Sequence, residues 1–161
     1  MLQQLVADRS VRPVNGTAFA VTPTLREAYS DGDDDELADV ALREAALASL
    51  RLIGNDAAAS EELPARRAVL EADLEEDVAG ITLRPDLDDA VVRLAGEIPL
   101  ERVIAAYVDN AAAESAVLAA VEVIDAADLG DEDAELTVGD AQDHDLAWYA
   151  PQELQFLLEL L

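Results

Sequence analysis

Asp33-Asp34-Asp35-Glu36-Leu37-Ala38-Asp39-Val40-Ala41-Leu42-Arg43-Glu44-Ala45-Ala46-Leu47-Ala48-Ser49-Leu50-Arg51-Leu52-Ile53 is the stretch on which the fold turns. Leu37, Val40, Ala41, Ala45, Ala48 and Leu52 recur at helical spacing and form one apolar stripe. Asp33 with Glu36 three residues on has the pattern of a capping box. The four acids at this end suit the positive pole of the helix dipole, and Gly54-Asn55 stops the helix. A long helix is therefore predicted over about 34–53. Ahead of it, Thr17-Ala18-Phe19-Ala20-Val21-Thr22 is β-branched and aromatic and reads as a strand. Pro23 then opens a short helix to about Tyr29, with Thr22 as its N-cap.

Outward from this core the pattern alternates between short strands and helices. Leu2 to Ala7 reads as a short helix, and Asn15-Gly16 as a turn. Residues 55–64 read as a polar, Ala-rich linker. Arg66 to Leu74 has a period of two, which puts Ala68, Leu70, Ala72 and Leu74 on an apolar face and Arg67, Glu71 and Asp73 on a solvent face. Val78–Leu83, Ala90–Ala95 and Val103–Val108 read as further strands, with Ile98-Pro99-Leu100-Glu101 as a turn. Asp109 or Asn110 caps a second long helix to about Ala127. Residues 128–145 read as an acidic loop, Leu146–Tyr149 as a strand, and Pro151 as the start of a C-terminal helix carrying Leu154, Leu157, Leu158 and Leu161 on one side. The expected fold is α+β: a small mixed or antiparallel sheet packed against two long helices, in a single domain over 1–161. A domain of this class that opens on a bare helix is expected to have lost a first edge strand, with Met1 an internal start.

Composition excludes more than it assigns. There are 36 acidic and 10 basic residues, and every basic residue is arginine. After Arg102 the chain carries fourteen acids and no arginine. Direct nucleic-acid binding needs clustered Lys and Arg and is not expected. Docking on anionic membranes is disfavoured likewise. The absence of cysteine excludes disulfides, thiolate zinc sites and cysteine nucleophiles. The absence of lysine excludes the P-loop and Schiff-base chemistry. The N-terminal residues lack a basic, then apolar, export signal, so a cytoplasmic location is expected. A high-GC genome or a high-salt cytoplasm would each account for much of the acidity.

The motifs tested for chemistry fall short. Asp31, Asp33 and Asp35 match the first ligands of a calcium loop, but the required glycine is Glu36 and the closing glutamate is Leu42. Asp131-Glu132-Asp133-Ala134-Glu135 fails in the same way, so neither a metal nor a cofactor is expected. His144, the only histidine, lies in the acidic stretch with no nucleophile elbow to serve, and reads as a solvated loop residue. Five residues remain as ligand or partner candidates. Arg66 and Arg67 form either local ion pairs or an anion anchor. Arg26, behind Pro23, is placed to stand at a pocket mouth. Trp148 and Tyr149 suit the core or an interface better than a ligand site.

Several segments together resemble a known family. They are Ala18-Phe19-Ala20-Val21-Thr22-Pro23-Thr24-Leu25-Arg26-Glu27-Ala28-Tyr29, Asp33-Asp34-Asp35-Glu36-Leu37, Ala48-Ser49-Leu50-Arg51-Leu52-Ile53, Arg66-Arg67-Ala68-Val69-Leu70-Glu71-Ala72-Asp73, Pro99-Leu100-Glu101-Arg102-Val103 and Leu146-Ala147-Trp148-Tyr149. The chain resembles an uncharacterised actinobacterial family known only as a domain of unknown function. The resemblance implies a short strand ahead of the first helix. It implies no activity and no functional residues, and it favours the genome-composition account of the charge.

The function expected from these observations is that of a small non-catalytic protein-binding or regulatory domain. Its partner is a basic protein or a second copy of itself. An enzyme of unfamiliar type, with carboxylates and arginines lining a pocket, is the alternative. A nucleic-acid mimic occupying a basic groove is the remote one.

Overall fold

A computed structural model describes residues 1–55, 64–75 and 80–161. It is α+β, with its strands distributed among three small antiparallel sheets rather than gathered in one. The helices are α1 (Leu2–Asp8), α2 (Pro23–Ala28), α3 (Asp34–Asn55), α4 (Glu114–Asp128), α5 (Glu132–Gln142) and α6 (Leu154–Leu160). The strands are β1 (Ser10–Val11), β2 (Thr17–Phe19), β3 (Ala68–Ala72), β4 (Thr82–Leu83), β5 (Val91–Arg93), β6 (Ile98–Pro99), β7 (Val103–Val108) and β8 (Ala147–Tyr149). The chain divides into two compact units, Met1–Ala45 with Glu71–Ile104, and Ala46–Leu70 with Ala105–Leu161.

In the first unit, β2, β5 and β4 form a sheet with β5 central, and β1 pairs with β6. Leu25, Leu37 and Ala90 make its buried cluster, with Phe19, Val21 and Val40 packed against them. The local signals behind it act as read. Thr22 accepts a hydrogen bond from the Leu25 amide, and its hydroxyl donates to the Asp89 carbonyl. Asp33 and Glu36 close a reciprocal capping box: the Glu36 amide donates to Asp33 Oδ1 at 2.9 Å and the Asp33 amide to Glu36 Oε2 at 3.2 Å. Ile98-Pro99 is not a turn. Proline is tolerated there because the segment is a two-residue strand with only β1 beside it. Gly16 takes φ +69°, and a Cβ there would collide with the Leu94 carbonyl, so only glycine suits this turn.

In the second unit, α4 and α5 pack along each other. Leu50, Ala113, Val117, Ala120, Ile124, Val138 and Ala141 form the core, with Leu47 and Ile53 against it. Alanine at three of these seven positions lets the backbones approach closely. The stretch 128–145 is therefore not a loop, because α5 occupies most of it. Asp131 caps α5 by accepting from the Ala134 amide at 2.9 Å, and Ala134, Val138 and Ala141 bury one face of it. Of the eight acids in 128–145, Asp131 is the cap of this helix and Glu132, Asp133, Glu135 and Asp140 are exposed on it. The proposed linker at 55–64 and the first residues of the strand at 78–83 lie outside the described residues; Thr82 and Leu83 form β4.

Candidate functional site

The third sheet has the order β3-β7-β8, and one end of it holds a buried, multiply bonded ion pair. Arg67, just before β3, is fully buried, as is Asp109, just after β7. Arg67 Nε donates to Asp109 Oδ2 at 2.9 Å and Nη2 to Oδ1 at 2.8 Å, a bidentate pair. Nη1 donates to Gln142 Oε1 at 2.7 Å, and Nη2 also donates to the His144 carbonyl at 2.8 Å. The main chains complete the lock. The Arg67 amide donates to Asp109 Oδ2 at 2.8 Å, and the Asp109 amide to the Arg67 carbonyl at 3.0 Å. Four guanidinium donor bonds are thus made inside protein, so Arg67 ties the start of β3 and the end of β7 to the end of α5.

This placement reverses part of the reading of 66–74. Arg67 and Val69 are buried, and only Glu71 and Asp73 of the predicted solvent face are exposed. The period-two pattern is real, but a buried arginine is indistinguishable from an exposed one until its carboxylate is found. That carboxylate, Asp109, was read only as a helix cap. An aspartate closing the apolar run Val103–Val108 is the signal that points to it. His144 does lie in a bend outside the helix, but it is not fully solvated. It is half-buried just after α5, its amide donates to the Ala141 carbonyl, and its own carbonyl accepts from Arg67.

The other candidates are placed separately. Arg66 Nε bonds Glu114 Oε1 at 2.8 Å in a half-buried pair at the start of α4. Arg26 belongs to the first unit and pairs with exposed Asp34 at 2.7 Å. Each of the three arginines is therefore engaged by a carboxylate of its own unit. Arg51 holds Asp128 by two hydrogen bonds of 3.0 and 2.8 Å, and these hold the Asp128 carboxyl below its usual range. Among the described residues, no three His, Asp or Glu side chains are grouped to hold a metal ion. No described helix is long and apolar enough to cross a membrane.

Trp148 and Tyr149 lie in β8, at the edge of the sheet. The register opposes Tyr107 to Trp148 and Ala106 to Tyr149. Tyr149 therefore shares its face with buried Ala106 and is half-buried, whereas Trp148 is 57% exposed. α6 follows closely. Its Leu154 and Leu157 are buried, but Phe156 and Leu160, one turn apart on another side, are 66% and 84% exposed. These two were not among the candidates. The signal was present in Leu154-Gln155-Phe156-Leu157-Leu158-Glu159-Leu160, which has more apolar side chains than one buried stripe can use.

Fold and surface together define a small α+β protein with a strongly acidic, locally apolar second unit. The chain belongs to DUF6912, a family of unknown function whose model matches residues 1–158. No curated protein and no solved structure matches it.

Proposed function

We propose that this is a non-catalytic, cytoplasmic, actinobacterial protein that works by binding a basic partner protein through the segment from β8 to α6. The observation that carries the reading is the exposure of Trp148, Phe156 and Leu160 at 57%, 66% and 84%. Large apolar side chains left in water are candidate contacts for a partner, and these three lie within one short stretch that joins a sheet edge to the helix after it. The actinobacterial origin rests on the resemblance through the Val21-Thr22-Pro23-Thr24-Leu25-Arg26-Glu27 block and on the use of arginine alone for positive charge. The cytoplasmic location rests on the N-terminal composition.

Charge selects the partner. Residues 103–161 contain fourteen acids and no basic residue. A second copy would bring this half against itself and incur like-charge repulsion, whereas a basic protein would be drawn to it. The carboxylate partners of Arg26, Arg66 and Arg67 favour structural roles for them over roles in a substrate pocket.

The test is affinity capture from the source cell with wild-type chain, Trp148→Thr and Phe156→Ser/Leu160→Ser as baits. It is followed by reconstitution of the captured protein in pure form and by sedimentation equilibrium of the chain alone. The expected results are a monomer, and a basic partner whose affinity falls at least about tenfold in both variants, as for hot-spot residues. A partner bound equally by all three baits, or a stable dimer, contradicts the reading.

A further inference from the structure

We infer that the partner binds as an extended basic segment that adds a strand to the free side of β8; this deepens the binding reading above and rests on it. Among the described residues β8 is paired only with β7, so its other side is a sheet edge. Extended backbone continues past Tyr149 to Ala150, at φ −69° and ψ 151°, before Pro151 turns the chain. Unpaired main-chain groups at such an edge are a template for an incoming strand. Trp148 stands beside Tyr107 on one sheet face, and an added strand would extend that row by one side chain. An arginine or lysine is the side chain suited to that place. It would lie over the exposed indole as a cation–π partner.

The flanks agree. Asp143 and Asp145 are exposed just before β8, and Glu153 is exposed just after it. The three arginines of this unit, Arg51, Arg66 and Arg67, are each already bonded to a carboxylate of it, Asp128, Glu114 and Asp109. A basic strand would therefore be held at its centre by main-chain bonds and Trp148, and at its ends by carboxylates. The brevity of β8 sets the scale of the effect. A three-residue strand provides few ladder bonds, so charge must supply much of the affinity and salt must weaken it.

Trp148 is the only tryptophan, so its emission reports on this edge directly. The probe is an end-blocked peptide of alternating Arg and Val, about eight residues long, enough to outspan a typical strand. The control has the same charge with proline in place of valine, which cannot donate to a ladder. The expected result is a saturable change in Trp148 emission by the Arg-Val peptide. Its affinity should fall with salt and be at least about tenfold weaker for the proline control, the ratio that about 1.4 kcal/mol of ladder bonding gives. Slowed amide exchange within Ala147–Ala150 should accompany it. Equal affinity of the two peptides, absence of saturable binding, or unchanged exchange at β8 overturns strand addition. The binding reading is judged separately. If a reconstituted partner still depends on Trp148, Phe156 and Leu160, docking stands and only the mode of docking falls.

Discussion

Arg67 shows how far a residue's chemistry is set by what surrounds it. Beside Asp109 it is fully buried, four times hydrogen-bonded and inaccessible, whereas Arg26, bonded to Asp34, stands in water. Removing one member of a buried pair strands the other charge in a low-dielectric interior. Arg67→Met is therefore expected to destabilise the protein by about 3–5 kcal/mol in urea unfolding. Adding Asp109→Leu should restore only part of that loss: no charge is then stranded, but the Arg67 amide, the Gln142 side chain and the His144 carbonyl each lose a hydrogen-bond partner. Arg26→Ala should cost no more than about 1 kcal/mol, as exposed ion pairs do. Similar small losses for both arginines would contradict the structural role assigned to Arg67. Asp128 gives a pH signature of the opposite exposure class. Hydrogen bonds from Arg51 lower its folded pKa, so its contribution is present above the ordinary aspartate value of 3.8 and is lost as pH falls through the lowered one. Both side chains are more than two-fifths exposed, so the effect is small. Acid unfolding of Arg51→Met compared with wild type measures it, and the two curves should converge at the acid end.

At the scale of elements, legibility followed the number of agreeing local signals. α3 had a capping box and a dipole-favouring first turn, and both act in the structure. Its stripe is right at Leu37 and Ala41 but shifts to Ala46 and Leu50 further on, leaving Leu52 exposed, and Gly54-Asn55 continues the helix instead of stopping it. α2 had a threonine cap and an N-terminal proline, and forms as read. α5 had the same kind of cap in Asp131, but the acid density of 128–145 hid a stripe made only of Ala134, Val138 and Ala141. Alanine buries little area, so a stripe that depends on it is faint by hydrophobicity and clear only by spacing. β1 and β6 escaped because two residues are too few to show a period. Of the candidate residues, Trp148 and Tyr149 suit the core or an interface by sequence, and the structure leaves Trp148 exposed and Tyr149 half-buried. Phe156 and Leu160 fall outside the stripe of Leu154, Leu157, Leu158 and Leu161 that helical spacing picks out, so spacing alone does not mark them. If Asp131 is the element that starts α5, Asp131→Ala should cost about 0.5–2 kcal/mol, the usual loss of an N-cap. The loss should appear in amide exchange as fraying of 132–135. A change below about 0.3 kcal/mol, inside the ordinary surface range, would show that packing on α4 alone holds the helix.

For the whole molecule, a net charge of −26 dominates any encounter with another protein. Such a field slows self-association and speeds approach by basic partners, with both effects screened by salt. The asymmetry along the chain gives that field a direction in sequence, because all ten arginines lie at or before residue 102. The exposed apolar side chains of β8 and α6 sit in the half that has no positive charge. Attraction over distance and burial on contact would then both act on the exposed surface of the segment from β8 to α6. The central claim is that this surface is where a partner sits. Amide exchange of the chain, with and without its reconstituted basic partner, measures that most directly. The account predicts slowed exchange within residues 146–160, weakened as salt is raised. Protection confined to the first unit, with residues 146–160 exchanging as in the free chain, would contradict it.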